Sequence, residues 1–319
     1  MRRDPIVGRQ VLIAEDRATR PNDFLGQKTA SDRNDSPADC PFCAGHEDET
    51  PAELLEVRDH DGNWQVRVVP NKYPAVSLVA DEGGPFGTHE VFIESPRHVG
   101  DITELTDDEF AGVLRVYRRR LRHWSIDERI SHCSIFKNVG SAAGASLEHV
   151  HSQLIALPTI PPVLKAELSG AEAHYRQYGC CRFCQLIDEE LAERKRLVAA
   201  TDQFVAFCAY AGRQPFETWI LPRTHASSFN RLSDAQALDL ARLMRQIVGR
   251  LQTQFVPLAY NLMLHTAPYR HASADYYHWH LEVLPRSTQL AGFEWGTGVH
   301  INPLSPERAA AKLSLIGGK

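Results

Sequence analysis

The chain has 319 residues, of which 43% are hydrophobic and 24% charged, with a formal net charge of −5. That length exceeds what one hydrophobic core commonly holds, so two domains, or one domain built twice, are expected. The acidic balance gives no global attraction for nucleic acid, no apolar run reaches bilayer length, and the opening MRRDPIVGRQ lacks the apolar stretch of a secretory signal. These features argue against nucleic-acid and membrane partners and lead us to expect a cytoplasmic protein.

Residues 16–39, rich in Asp, Asn, Arg and Ser, read as a long surface loop of the kind that often serves function. The loop leads into Cys40-Pro-Phe-Cys43, the first of two Cys-x-x-Cys pairs. Seven cysteines are too few for a disulfide scaffold in a chain of this size, and neither pair lies between an evident strand and helix, so metal binding is favoured over a thioredoxin-like dithiol. Strands are expected at 64–69 and 90–94, followed by His98. Leu105 and Thr106-x-x-Glu109 form a staple and capping box that open a helix over 107–124, with Phe110, Val113, Leu114, Tyr117 and Leu121 at helical spacing. The run Arg118, Arg119, Arg120 reads as its solvated face.

A strand at 131–138 leads into a glycine-rich loop and a further strand at 150–157. Residues 136–153, FKNVGSAAGASLEHVHSQ, are the most informative stretch. Period-two alternation sets His149 and His151 on one face, so that one imidazole can bind a metal while the other attacks phosphorus. Gly140 and Gly144 let backbone amides approach an anion, and Asn138, Ser146 and Gln153 add neutral hydrogen-bonding groups. The array suits chemistry at a phosphate.

The same order then recurs. A connector at 158–179 opens with PTIPP and continues helix-compatible, and after it come Cys181-Arg-Phe-Cys184, strands at 204–210 and 218–221, and His225. Leu232 and Ser233-x-x-Gln236 open a helix over 234–255 with Leu238, Leu243, Ile247 and Leu251 in its apolar stripe. Strands at 260–265 and 279–284 follow, the latter entered through His278-Trp-His280. This internal repeat implies an α+β fold of two antiparallel-sheet halves, each with a long helix. It also supplies two tetrahedral donor sets for zinc: Cys40, Cys43, His98 and His149 in the first copy, and Cys181, Cys184, His225 and His278 in the second. By holding His149, the first would also hold His151. A competing carboxylate-histidine, iron-type set of Glu167, His265, His278 and His280 would share His278 with the second zinc set, so the two could not both be complete. The second copy keeps His280 but has Leu281-Glu282 in place of Ser152-Gln153 and no glycine loop, and so reads as non-catalytic. Cys133, Cys180 and Cys208 read as small buried hydrophobes.

Taken together, these residues resemble the galactose-1-phosphate uridylyltransferase branch of the histidine-triad superfamily across most of the chain. The most specific part is Asn138-x-Gly-x-x-x-Gly-x-Ser146-x-x-His149-x-His151-x-Gln153, with Val150 and Ser152 where the family usually has Pro and Gly. The resemblance implies a duplicated histidine-triad-like fold, with residues 1–160 as the catalytic domain and 161–319 as a non-catalytic one. It implies that His151 is the nucleophile, that His149 binds zinc, and that Gln153, Ser146 and Asn138, with the loop at Gly144, hold the phosphoryl oxygens. Arg17, Arg20, Asn71, Lys72 and Tyr73 fall where the family contacts the nucleotide. Gly292-Phe293-Glu294 is similar to a hexose-recognition segment that reaches into the partner subunit's site, which implies a homodimer. The second Cys-x-x-Cys and the ending GFEWGTGVHINP look like the ADP-glucose phosphorylase branch. The leading expectation is uridylyl exchange between UDP-glucose and a hexose 1-phosphate, in galactose metabolism. Adenylyl transfer from ADP-glucose to phosphate is the nearest alternative, followed by a non-enzymatic zinc-stabilised nucleotide-binding protein and by hydrolysis of a dinucleoside polyphosphate.

Overall fold

The computed structural model describes residues 1–19, 37–78 and 85–314; Arg20 and most of the expected 16–39 loop lie outside them. The strands and helices run β1 (Arg2–Arg3), β2 (Gln10–Ile13), β3 (Leu55–Arg58), β4 (Trp64–Pro70), β5 (Thr88–Ile93), α1 (Asp107–Trp124), β6 (His132–Val139) and β7 (His151–Leu157). They continue with α2 (Pro162–Tyr178), α3 (Arg182–Glu193), β8 (Leu197–Ala200), β9 (Phe204–Cys208), β10 (Thr218–Pro222), α4 (Asp234–Gln252), β11 (Tyr260–His265), β12 (His280–Pro285), α5 (Gly292–Thr297), β13 (His300–Asn302) and α6 (Pro306–Ser314).

The α+β class and the repeat are both borne out. Ten antiparallel strands form one sheet in the order β3-β4-β5-β7-β6-β11-β12-β10-β9-β8, so the second half reads as the first in reverse. The halves are joined edge to edge, with β6 paired to β11 and Asn138 opposite Asn261. Joining them removes the two inner edges that separate sheets would leave unpaired. The small remaining sheet joins β1 and β2 to β13, the last pairing parallel.

Both long helices begin where their sequence signals place them. Thr106 and Ser233 accept from the backbone N–H three residues on, and Glu109 and Gln236 return the bond to the cap residues. α1 and α4 pack together on one face of the sheet, and one continuous core runs under them from Val68, Phe92 and Leu154 to Ile220, Leu281 and Val283. Alternation along the strands turns the other residues, Val91 and Ile93 in the first half and Phe207 and Trp219 in the second, to the opposite face. In the second half that face is covered by α2 and α3 through Leu164, Leu168, Phe183 and Leu186.

Two expectations about side-chain exposure fail. Arg120 is not on a solvated face: it is 5% exposed and grips the buried Glu90 through two bonds of 2.6 and 2.8 Å. Cys180 is exposed, whereas Cys133 and Cys208 are buried as expected. No helix among the described residues is long and apolar enough to cross a membrane.

Candidate active site and metal centres

The face of the sheet away from α1 carries the histidines. β7 pairs with β5 so that His151 lies opposite Ile93 and Gln153 opposite Val91, and with β6 so that Gln153 also lies opposite Phe136. Between β6 and β7 the chain turns through Gly140 (φ 78°) and Gly144 (φ 87°), both at positive φ that glycine adopts without a Cβ penalty. A Cβ on Gly140 would also come within 2.9 Å of the Ala259 Cβ. His151 Nδ1 donates to the His149 carbonyl at 2.7 Å, so the lone pair of the neutral ring lies on Nε2. Burial is the main reason its pKa lies below the ordinary 6.5; the nearby Lys137 charge acts in the same direction, so the ring is neutral at pH 7.

Several residues that sequence reasoning did not single out hold this arrangement. Phe42, inside the first Cys-x-x-Cys, packs edge-on against both His149 (5.9 Å) and His151 (5.5 Å). Its counterpart Phe183 lies near His278 (6.4 Å) and His280 (5.2 Å), so the shared Cys-x-Phe-Cys was a readable signal. Asn261, from the other half, donates to Asn138 Oδ1 and to the Ala143 carbonyl, both at 2.8 Å, fixing which end of the Asn138 amide is free.

On the reverse face Lys137, only 1% exposed, donates to Glu94 (2.8 Å) and to the His151 carbonyl (2.9 Å). The Tyr117 hydroxyl donates to the other Glu94 oxygen at 2.8 Å and lies 2.7 Å from Ser152 Oγ. Removing one partner would strand the other charge. Lys137→Met is therefore expected to destabilise the chain by about 3–5 kcal/mol in urea denaturation, and adding Glu94→Gln to recover most of that loss.

Both cysteine-histidine sets are assembled. In the first, Cys43 Sγ lies 3.3 Å from His98 Nδ1, Cys40 Sγ 3.4 Å and Cys43 Sγ 3.6 Å from His149 Nδ1. In the second, Cys184 Sγ lies 3.3 Å from His225 Nδ1 and 3.5 Å from His278 Nδ1. A tetrahedral zinc with bonds of about 2.3 Å to sulfur and 2.0–2.1 Å to nitrogen sets such edges near 3.5 Å, so both sets fit that ion. His149 Nε2 donates to the Ser95 carbonyl at 2.8 Å, which leaves Nδ1 facing the two cysteine sulfurs, as a zinc ligand there would require.

The iron-type set is not assembled as expected. His278 turns to the cysteines, leaving Glu167, His265 and His280 as a separate group, so no ligand is shared and the anticipated conflict disappears. This group is filled by the protein's own charges. Arg213 binds Glu217 and Glu282, while His265 lies 2.9 Å from Glu167 and 3.6 Å from Glu282. Against the opposing effect of burial, those two carboxylates push His265 up to about 10, so it is a cation here. With its carboxylates neutralised, this group fits a metal less well than the cysteines do. His280 is 1% exposed, stacked between Trp219 (5.1 Å) and His265 (4.6 Å). The cavity that this ring lines with Glu167, Phe183 and Trp219 has a volume of only about 10 Å³, too small for a sugar nucleotide, whereas His151 keeps 7% exposure.

The other expected residues are distributed unevenly. Asn71 lies beside the site, its Nδ2 3.2 Å from His89 on β5, while Lys72 and Tyr73 are exposed, Tyr73 at 82%. Ser146 is exposed on the glycine loop. Arg17 follows β2, and Phe293 and Glu294 lie in α5 before β13, so these three flank the small sheet. Glu294 accepts from the Ala291 N–H at 3.1 Å and so caps its own helix.

Comparison with known proteins places this geometry. Residues 169–315 match the galactose-1-phosphate uridyl transferase C-terminal domain, and residues 22–160 match the N-terminal domain of a family of unknown function, DUF4931. An ADP-glucose phosphorylase of Arabidopsis thaliana is 36% identical over 97% of this chain and 91% of its own. A galactose-1-phosphate uridylyltransferase of Thermotoga maritima is 27% identical over 87% of this chain and 89% of its own. The crystal structure of an Arabidopsis thaliana ADP-glucose phosphorylase with bound ADP-glucose superposes with a TM-score of 0.88 at 35% identity, covering 98% of this chain and 97% of that one. The repeat, the His149-x-His151 strand and these similarities lead to one assignment: the chain belongs to the galactose-1-phosphate uridylyltransferase family of nucleotidyltransferases.

Proposed function

We propose that the protein transfers AMP from ADP-glucose to inorganic phosphate through a covalent intermediate on His151. The observation that carries this reading is the similarity to the Arabidopsis thaliana phosphorylase over nearly the whole chain, at 36% identity against 27% for the Thermotoga maritima uridylyltransferase. The second cysteine pair and the GFEWGTGVHINP ending support the same branch. The expectation of UDP-glucose as donor therefore yields to its alternative.

In the first displacement His151 Nε2 attacks the α-phosphorus of ADP-glucose. An N–P bond forms, the bond from that phosphorus to the bridging oxygen breaks, and glucose 1-phosphate leaves. No proton has to move, because Nδ1–H stays on the His149 carbonyl and supports the positive charge of the adenylylated ring. A phosphate oxygen then attacks the same phosphorus, the N–P bond breaks, and ADP leaves. Gln153 and Asn138 donate amide hydrogens to the phosphoryl oxygens, where a lost donor costs roughly 2.7–4 kcal/mol in comparable sites. We further propose two zinc ions per chain, held by the two cysteine-histidine sets, which clamp the strand entries at His149 and His278. Residues 1–160 would form the catalytic unit and 161–319 the closed one. Two copies would pair, with α5, where Trp295 is 75% exposed, reaching the partner's site.

The test is intact mass after mixing the zinc-loaded protein with ADP-glucose or UDP-glucose, without acceptor. An AMP adduct that phosphate discharges to ADP is expected. A UMP adduct alone would favour uridylyl transfer, and no adduct with either would favour a binding protein. Because the attacking ring must be neutral and its pKa is lowered, activity is expected to fall with acid only below pH 6.5, as read from the acid limb of kcat/KM.

A further inference from the structure

The geometry points to His89 as a positioning residue that fixes the orientation of the Gln153 carboxamide, an inference that rests on the proposed role of Gln153 at the phosphoryl group. His89 is buried on β5, on the same face as His151 and Gln153. Its ring is fixed at both nitrogens. The backbone N–H of Ala75 points at Nδ1 (3.2 Å), which must therefore be the unprotonated acceptor. A neutral imidazole then carries its hydrogen on Nε2. Burial lowers the pKa of this ring, which favours that neutral form.

The acceptor for that hydrogen is Gln153 Oε1, at 2.8 Å. The other neighbour of Nε2, Asn71 Nδ2 at 3.2 Å, cannot accept. Asn71 Oδ1 is committed to the Tyr73 N–H (2.8 Å), so the group facing His89 is the NH2 end. Two consequences follow. Gln153 must turn its own NH2 away from His89, leaving two hydrogens for a ligand oxygen, and among the described residues no acceptor takes the amide hydrogens of Asn71 beside it. Without His89 the Gln153 amide is free to rotate, and half of its orientations present an oxygen to an oxyanion. His89 thus links the 71–75 segment, expected to meet the nucleotide, to the group expected to meet the reacting phosphate.

The experiment compares wild type, His89→Ala, His89→Gln, Gln153→Ala and the double variant His89→Ala/Gln153→Ala in the rate of adduct formation from ADP-glucose. His89→Ala is expected to lower kcat roughly 10- to 100-fold with little change in KM, up to the lower limit of the roughly 10²–10³ of a donor lost outright. His89→Gln, whose Nε2 can occupy the place of the ring Nε2, is expected to recover most of the rate. In the Gln153→Ala background, removing His89 is expected to cost nothing more. Equal losses in both backgrounds would overturn the inference. An independent reading comes from ¹⁵N-histidine spectra of the intact protein, where His89 is expected as the Nε2–H tautomer and the Nδ1–H tautomer would overturn the inference. If wild type forms no adduct, the proposed function fails, while the tautomer still decides the arrangement around Gln153.

Discussion

His151→Asn is expected to lower turnover of ADP-glucose by about 10⁶, the scale seen when an enzyme loses its nucleophile, while leaving zinc content and thermal stability close to wild type. The expectation follows from what the ring does and does not hold. Among the described residues its Nδ1 bonds only the neighbouring His149 carbonyl, and its ring meets Phe42 at its edge, so asparagine can stay in place without unseating the proposed metal ligands. The equivalent change in the second half, His280→Asn, is expected to leave the rate within a few-fold of wild type. That ring is enclosed by Trp219, His265 and Phe183. Steady-state rates of the two variants, measured side by side, check both statements. A His151→Asn protein with near-normal turnover would remove the nucleophile from the scheme.

Loss of the proposed zinc is the second large effect expected. A structural zinc site can contribute ~10–16 kcal/mol, which matches the whole ~5–15 kcal/mol stability of a folded domain. Cys43→Ser removes the sulfur that lies close to both His98 (3.3 Å) and His149 (3.6 Å). We expect it to halve the zinc bound per chain by elemental analysis, to lower Tm by at least ~10 °C on the scale of a few degrees per kcal/mol, and to abolish adduct formation because His149 no longer steadies His151. Cys184→Ser is expected to halve the zinc as well and to lower Tm, yet to leave the adduct on His151, since its histidines hold the closed half. Unchanged zinc in either variant would contradict the assignment of that set.

Much of this was legible in the residues because the signals are local. The capping boxes at Thr106 and Ser233 start their helices as expected, and Gly140 and Gly144 adopt the φ values that only glycine takes easily. The paired cysteine-histidine sets could be recognised because each occurs twice in the same order. What escaped depends on partners distant in sequence. Asn261 orients an amide 123 residues away, Lys137 reaches Glu94 across 43, and His89 reaches Gln153 across 64. Each reads alone as an ordinary strand residue. The union of the two half-sheets at β6 and β11 was likewise hidden, since alternation says which face a side chain takes but not which strand lies next to it. The short α5 and β13 lack a periodic signal long enough to read, and β13 pairs with β2 from the other end of the chain. The second helix was expected to run to 255 but ends at Gln252, because apolar spacing continues through Phe255 after the helix has stopped.

Transfer through His151 stands or falls on where the covalent label sits. Zinc-loaded protein is quenched after mixing with ADP-glucose, digested at a pH that preserves N–P bonds, and mapped by tandem mass spectrometry. AMP is expected on the imidazole of His151 alone, released as ADP when phosphate is added before the quench. AMP on His149, on Lys137 or anywhere in residues 161–319, with His151 unmodified, would contradict it.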